Sequence, residues 1–379
     1  MRISKNLEYH ILGISLILLQ FAGYSVMTLP LLALSAILMF SFDRLQTQLT
    51  CSSPFSLFLI LSVLVGLINL IFKNTTNMSI MMWGQFYFLA LILACAEDKA
   101  RLISIIKYFV YAIFIGDILS NILLALGFSL PWTGFSPIRP GEILPRFPGI
   151  KNSSLYSGSI SFLAICCLMQ EHLKHTWVKN ILIFIMSINL LLAGSFRYYI
   201  ILAAVLGLYY FQLYLKPKKL LAFYGLFILF VVTLTYFTKE FSKSNELRWK
   251  LWNHTIDLIS QSPILGRGFF FQDLGNHLNF SYHNLAVAGV TESTILLFAL
   301  CFGIPIMLIF IFVIYKTIKQ YDNYIKYEQE LGFFLGLTLD LFWGGSLDNC
   351  MSLSILLLSL YQINDVAFRK HIGNQHDGK

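Results

Sequence analysis

Charge is scarce in this chain. Of 379 residues only 12% are Asp, Glu, Lys or Arg, with 19 acids against 27 bases, too few to cover the surface of a soluble globular domain of this size. The sequence also lacks a Gly-rich phosphate loop, a His-x-x-Glu-His helix and paired-cysteine spacing. Too little polar sequence is left over to build a nucleotide-binding domain. These absences argue against ATP-driven or nucleotide-sugar-dependent chemistry in the cytoplasm, so a substrate would reach this chain through the membrane. Its cysteines, Cys51, Cys95, Cys166, Cys167, Cys301 and Cys350, lie mostly in or beside apolar runs and read as small packing residues. The N-terminal basic and apolar segment has no convincing small-residue cleavage site, so it reads as a retained helix.

What the chain has in quantity is apolar sequence, 57% of the total. Runs near the roughly 20 residues needed to cross a hydrocarbon core recur along the length. The expected fold class is all-α, a polytopic integral membrane protein in one membrane domain over 1–379, with about 12 transmembrane helices. The candidate spans are 10–26, 28–43, 55–72, 78–96, 103–127, 155–170, 177–194, 196–214, 219–237, 286–315, 331–346 and 349–364.

Orientation follows from Lys and Arg, which concentrate in short cytoplasmic loops. With the Met1 end inside, alternate connections carry Asp43-Arg44, Lys99 with Arg101, Lys174 with Lys179, Lys216 to Lys219, and Lys316, Lys319 and Lys326. That pattern accounts for most of the net charge of +8, so the basic balance is not read as nucleic-acid binding. Two long segments fall on the opposite side. These are a first outward loop, 128–154, and a large one between spans nine and ten, 238–284, in which most of the candidate chemistry lies.

The first outward loop places Arg139, Arg146 and Lys151 around Gly141-Glu142 and Pro148-Gly149. It reads either as a Pro-rich solvated loop or as a basic lip for an anion. In Ala193-Gly194-Ser195-Phe196-Arg197 a tight turn puts an arginine at the outward start of the eighth span. Such an arginine either snorkels to headgroups or joins the helix N-terminal N–H groups in a phosphate socket. Within the large loop, Leu247, Leu251, Leu258 and Ile259 recur at helical spacing, widened by Trp249, Trp252 and Ile256. The pattern predicts an amphipathic helix lying in the interface.

Ser262-Pro263-Ile264-Leu265-Gly266-Arg267-Gly268 should end that helix. Glycines on both sides of Arg267 suit the close approach of a bulky anion. His283-Asn284 stands before the tenth span, and Glu292 follows in apolar surroundings, where an ionisable residue marks a candidate site. In one regular helix this spacing would set His283 and Glu292 roughly 180° and about 13 Å apart, too far for a direct pair. Asp117 and Asp340, acids within spans, are the main argument for a proton path and a transporter. No convincing repeat relates the two halves, as many transporters would show.

Arginine at the start of the eighth span, the loop pattern Arg-x-x-x-Trp from Arg248, the Ser262 to Gly268 turn and His-Asn before the tenth span together resemble the O-antigen ligase superfamily. That family joins lipopolysaccharide O-antigen ligases and related O-antigen polymerases of Gram-negative bacteria. The resemblance is architectural over nearly the whole chain, with motifs confined to about 193–197, 248–268 and 283–292. One departure is plain: the ligase pattern has glycine two residues after the acid, where this chain has Thr294.

The resemblance implies a multi-pass protein of the bacterial inner membrane with its working face in the periplasm. The reaction implied is transfer of a glycan from undecaprenyl diphosphate to lipid A-core, or, for a polymerase, to another lipid-linked repeat. It implies catalytic roles for His283, Arg197 and Arg248 and matches Glu292 to an acid of the family downstream; for the implied reaction Arg267 and Arg146 are reserve substrate-binding cations, and Asn284 either binds substrate beside His283 or only caps the helix. The partners implied are the lipid-linked donor, the acceptor and membrane lipids, with no cofactor, no metal and no nucleic acid. A flippase or transporter of the same lipid-linked glycan is the reading from a different class.

Overall fold

A computed structural model describes residues 7–18, 25–50, 54–72, 84, 87–92, 94–96, 99–128, 146–150, 154–169, 171, 175–210, 217–240, 243–268 and 293–321. The helices are α1 (Leu7–Leu18), α2 (Ser25–Met39), α3 (Phe42–Thr50), α4 (Pro54–Phe72), α5 (Lys99–Ala125), α6 (Ser154–Met169), α7 (Thr176–Ala193), α8 (Phe196–Tyr210), α9 (Pro217–Thr238), α10 (Lys243–Gln261), α11 (Thr294–Phe302) and α12 (Ile304–Tyr321). Among the described residues regular structure is all α-helical, as apolar segments in hydrocarbon require, because a helix satisfies its backbone groups internally.

Helices α1, α2, α4, α5, α6, α7, α8 and α9 overlap the stretches expected as spans at 10–26, 28–43, 55–72, 103–127, 155–170, 177–194, 196–214 and 219–237, and among the described residues two of them meet the length and composition of a membrane span. Within α5, Ser104–Ala125 is long and apolar enough to cross a membrane, and so is α7. Only 39% and 33% of their apolar windows are buried, so neither resembles the core helix of a soluble protein. Large apolar side chains on outer faces, including Tyr108, Phe184, Leu226 and Phe237, fit lipid contact. The spans expected at 331–346 and 349–364 lie outside the described residues.

The chain forms two compact units. One contains α1, α2 and α5 to α8; the other contains α3, α4 and α9 to α12.

In the first unit α6 is the centre, buried at every position from 156 to 169. It packs on α5, α7 and α8, and its many small residues make that possible. Gly158 is one: a Cβ there would lie 2.8 Å from Ser195 Cβ, so glycine lets α6 approach the α7–α8 turn. At the far end of α6, Lys179 of α7 donates to the carbonyls of Met169 and Glu171 at 2.7 and 3.1 Å. This lysine is buried against a helix C-terminus, so it is not the loop charge expected from the sequence.

In the second unit Phe58 of α4, Phe298 of α11 and Phe310 of α12 form a ring cluster with centroids 4.6 to 5.6 Å apart. The long span expected at 286–315 is not one helix. Ser293 is extended and caps α11 by accepting from Leu296 N, and at Gly303, φ 88°, the chain breaks again before α12. The break is held from outside: Ile304 N donates to Pro263 O at 2.8 Å. Thr294, the departure from the ligase pattern, is the first residue of α11 and fully buried.

Candidate functional site

The α7–α8 connection has two residues. Gly194 ends α7 in the left-handed region, φ 67° and ψ 26°, with its N–H on Leu191 O, and Ser195 O then accepts from Tyr198 N at 3.0 Å to start α8. Such a reversal needs glycine at the helix end. It puts Arg197 in the first turn of α8, only 8% exposed. The Arg197 guanidinium carbon lies 4.7 Å from the centre of the Tyr198 ring, and Nη2 reaches Tyr198 Oη at 3.1 Å. Tyr198 in turn stacks on Phe162 of α6, 5.5 Å between ring centres. The arginine is therefore held by the protein rather than extended along the surface as snorkelling would require.

Arg146 comes to the same turn from a separate segment. Phe147 N donates to Leu192 O at 3.1 Å, and the Arg146 stem passes over Gly194, where a Cβ would meet Arg146 Cγ at 2.7 Å. Two cationic side chains thus lie at one helix N-terminus, whose dipole favours an anion. The sequence named both arginines separately; their convergence on Gly194 required the fold.

In the second unit Arg248 sits on α10, half-buried, and its Nη1 donates to Asn245 Oδ1 at 2.6 Å. Asn245 Nδ2 donates at 2.6 Å to Thr238 Oγ1, at the end of α9. Lys239 Nζ lies 4.0 Å from the centre of the Tyr236 ring, which meets Trp249 edge-on at 5.2 Å. Sequence reasoning missed Asn245 and Thr238; the one available signal was an amide three residues before the arginine, on the same helix face.

The amphipathic helix forms, and protein covers its apolar side. Leu258 and Ile259 pack with Ala299 and Leu300 of α11, and Leu251 and Trp252 are buried as well. Ile256, expected on the apolar face, is 52% exposed, while Thr255 is buried. A strict helical period puts Thr255 on the core side between Leu251 and Leu258.

The glycines around Arg267 serve packing. Arg267 N and Gly268 N donate to Leu300 O and Cys301 O at 2.7 and 3.0 Å. A Cβ on Gly266, φ 63°, would meet the Cys301 carbonyl at 2.5 Å. Asn69 of α4 adds a bond from Nδ2 to Leu265 O at 2.8 Å. The backbone beside Arg267 is thus closed against the α11–α12 break instead of open to an anion, and the side chain bonds to Gln261. His283, Asn284 and Glu292 lie outside the described residues.

Residues 181–311, about a third of the chain, match the family described as O-antigen ligase. The matched stretch runs from within α7 to within α12 and includes Arg197, Arg248, Arg267, His283 and Glu292. No match was found among curated proteins.

Proposed function

From that match, we propose that this protein is an O-antigen ligase. It transfers a glycan from undecaprenyl diphosphate to a sugar hydroxyl of lipid A-core at the periplasmic face of the inner membrane. The observation that carries the reading is the convergence of Arg146 and Arg197 on one helix N-terminus, with Arg197 inside the matched segment.

In the transfer the acceptor oxygen attacks the anomeric carbon, the bond from that carbon to the diphosphate oxygen breaks, and the diphosphate leaves with the electron pair. Negative charge grows on the leaving group, and preorganised cations stabilise it without rearranging. Arg197 is assigned to that charge with Arg146 beside it; a donor-binding role for Arg248, with Arg267 in reserve, is carried by the family resemblance alone. An arginine fork matches phosphate oxygens in pairs, as lysine does not. Neutral His283 takes the proton of the acceptor hydroxyl, a role worth on the order of 10²- to 10⁴-fold in rate. Asn284 and Glu292 are assigned to binding beside it.

Polymerase chemistry differs only in the acceptor, and Thr294 in place of the ligase glycine is the feature that favours it. The test is transfer by purified protein in detergent, with no ion gradient, offered lipid A-core and a lipid-linked repeat in turn. Transfer to core supports the ligase, and transfer to the repeat replaces it with the polymerase. No transfer to either overturns both and leaves the transporter. His283→Ala should lower turnover by about 10²- to 10⁴-fold while donor binding persists; near-normal turnover would remove the base assignment.

A further inference from the structure

The transfer chemistry leaves the buried acid Asp117 unused. It lies in the apolar helix α5, one turn before Asn121, and both side chains face the same way. Asp117, Asn121, Ser157 of α6 and Asn189 of α7 are all at most 1% exposed. Asp117 Oδ2 accepts from Ser157 Oγ at 2.5 Å and from Asn189 Nδ2 at 3.1 Å. Asn121 Nδ2 donates to Asn189 Oδ1 at 2.9 Å and to Ser157 Oγ at 3.2 Å. Two acceptors of this cluster face the backbone of another segment: Asp117 Oδ1 accepts from Ile150 N at 3.1 Å and Asn121 Oδ1 from Gly149 N at 2.8 Å.

Burying so many polar groups in an apolar bundle is costly unless each is bonded. Holding three helices together does not require it, because helix backbones are already satisfied. What the cluster adds is a grip on the 146–150 segment. Gly149, φ 65°, is pressed so closely on Asp117 that a Cβ would run into the carboxylate. From that anchor the chain leads back through Phe147, bonded to Leu192 O, to Arg146 over Gly194. An acid in a membrane helix is a functional candidate by default. Both Asp117 oxygens accept from protein donors, which fits a clamp better than a proton path.

We propose that Asp117, with Asn121 and Asn189, is a positioning residue that clamps the Gly149–Ile150 turn and so holds Arg146 beside Arg197 to receive the diphosphate of the lipid donor. The inference rests on reading the Gly194–Arg197 turn as a diphosphate site.

The experiment uses full-length protein in lipid nanodiscs, with undecaprenyl diphosphate as the binding probe and its glycan-linked form as donor. The variants are Asp117→Asn, Arg146→Ala and the double. Asp117→Asn keeps the volume of the side chain but turns a donor toward Asn189 Nδ2, and Asn189→Ala serves in its place if that protein fails to fold.

Each single variant should weaken binding and lower kcat/KM for the donor about tenfold, and the double should be no worse than the singles, because the two act on one contact. Deuterium uptake at 146–150 should rise in Asp117→Asn and stay unchanged in Arg146→Ala. Multiplying effects, or unchanged uptake in Asp117→Asn, would overturn the clamp. If the wild type binds the lipid diphosphate without transferring glycan, the ligase reading fails while the clamp is still decided by binding. If the wild type does not bind it, both fail.

Discussion

Arg248 is held through Asn245, which accepts from the guanidinium and donates to Thr238, both at 2.6 Å. The α9–α10 corner thereby helps to fix the direction of the Arg248 side chain.

Asn245→Ala should therefore lower kcat/KM for the lipid donor by about 3- to 30-fold, since hydrogen bonds to charged groups contribute about 1.5–3 kcal/mol and part of that is recovered by water at a half-exposed site. Asn245→Asp should restore most of it, because a carboxylate still accepts from Arg248. Steady-state transfer assays on the two variants check this. Equal loss in both would mean that Asn245 does not act through Arg248.

Gly194→Ala strains a left-handed position by about 1–2 kcal/mol and pushes a methyl against the Arg146 stem. Donor affinity should fall as far as in Arg146→Ala, with the protein still folded. Lipid-diphosphate binding compared between the two variants is the check, and wild-type affinity in Gly194→Ala would break the link between the turn and Arg146.

Gly303→Ala should be among the most damaging single changes to stability. Its φ of 88° and ψ of 166° lie in a region open essentially to glycine alone, and a Cβ would collide with the Ile264 carbonyl. Loss of about 3 kcal/mol or more is expected, read as a large drop in thermal midpoint in detergent. Gly207→Ala is the control: nothing lies within 4 Å of where its methyl would sit and its φ is ordinary, so Ala in helix α8 should be neutral or slightly stabilising.

Leu258→Ala removes a side chain 5% exposed against Ala299 and Leu300. A cost of about 2–4 kcal/mol is expected for the cavity it leaves, measured by thermal or denaturant unfolding, whereas Ile256→Ala on the exposed face of the same helix should cost less than about 1 kcal/mol. Equal costs would mean that α10 is not docked on α11 through this face.

The helices α4 to α10 were legible in the sequence because apolar runs and the 3.6-residue period are local properties, and so was the Gly194 reversal, whose glycine stands next to the end of a run. The arginines were legible too, since charge in an oily chain is conspicuous. Their surroundings were not. Arg146 meets Gly194 across 48 positions of sequence, and Asp117 meets Ile150 and Asn189 through contacts that no local pattern encodes. The interrupted 286–315 run was hidden for the converse reason. Its residues are apolar through most of α11 and α12, and the break at Gly303 depends on Pro263 and Ile264 from another element arriving to fill it. Sequence by itself determined which segments are helical and which residue types carry charge, because hydrophobic burial and backbone bonding act along the chain. Only the tertiary structure decided which cations share a turn and which glycines face protein, because those depend on distances between segments far apart in sequence.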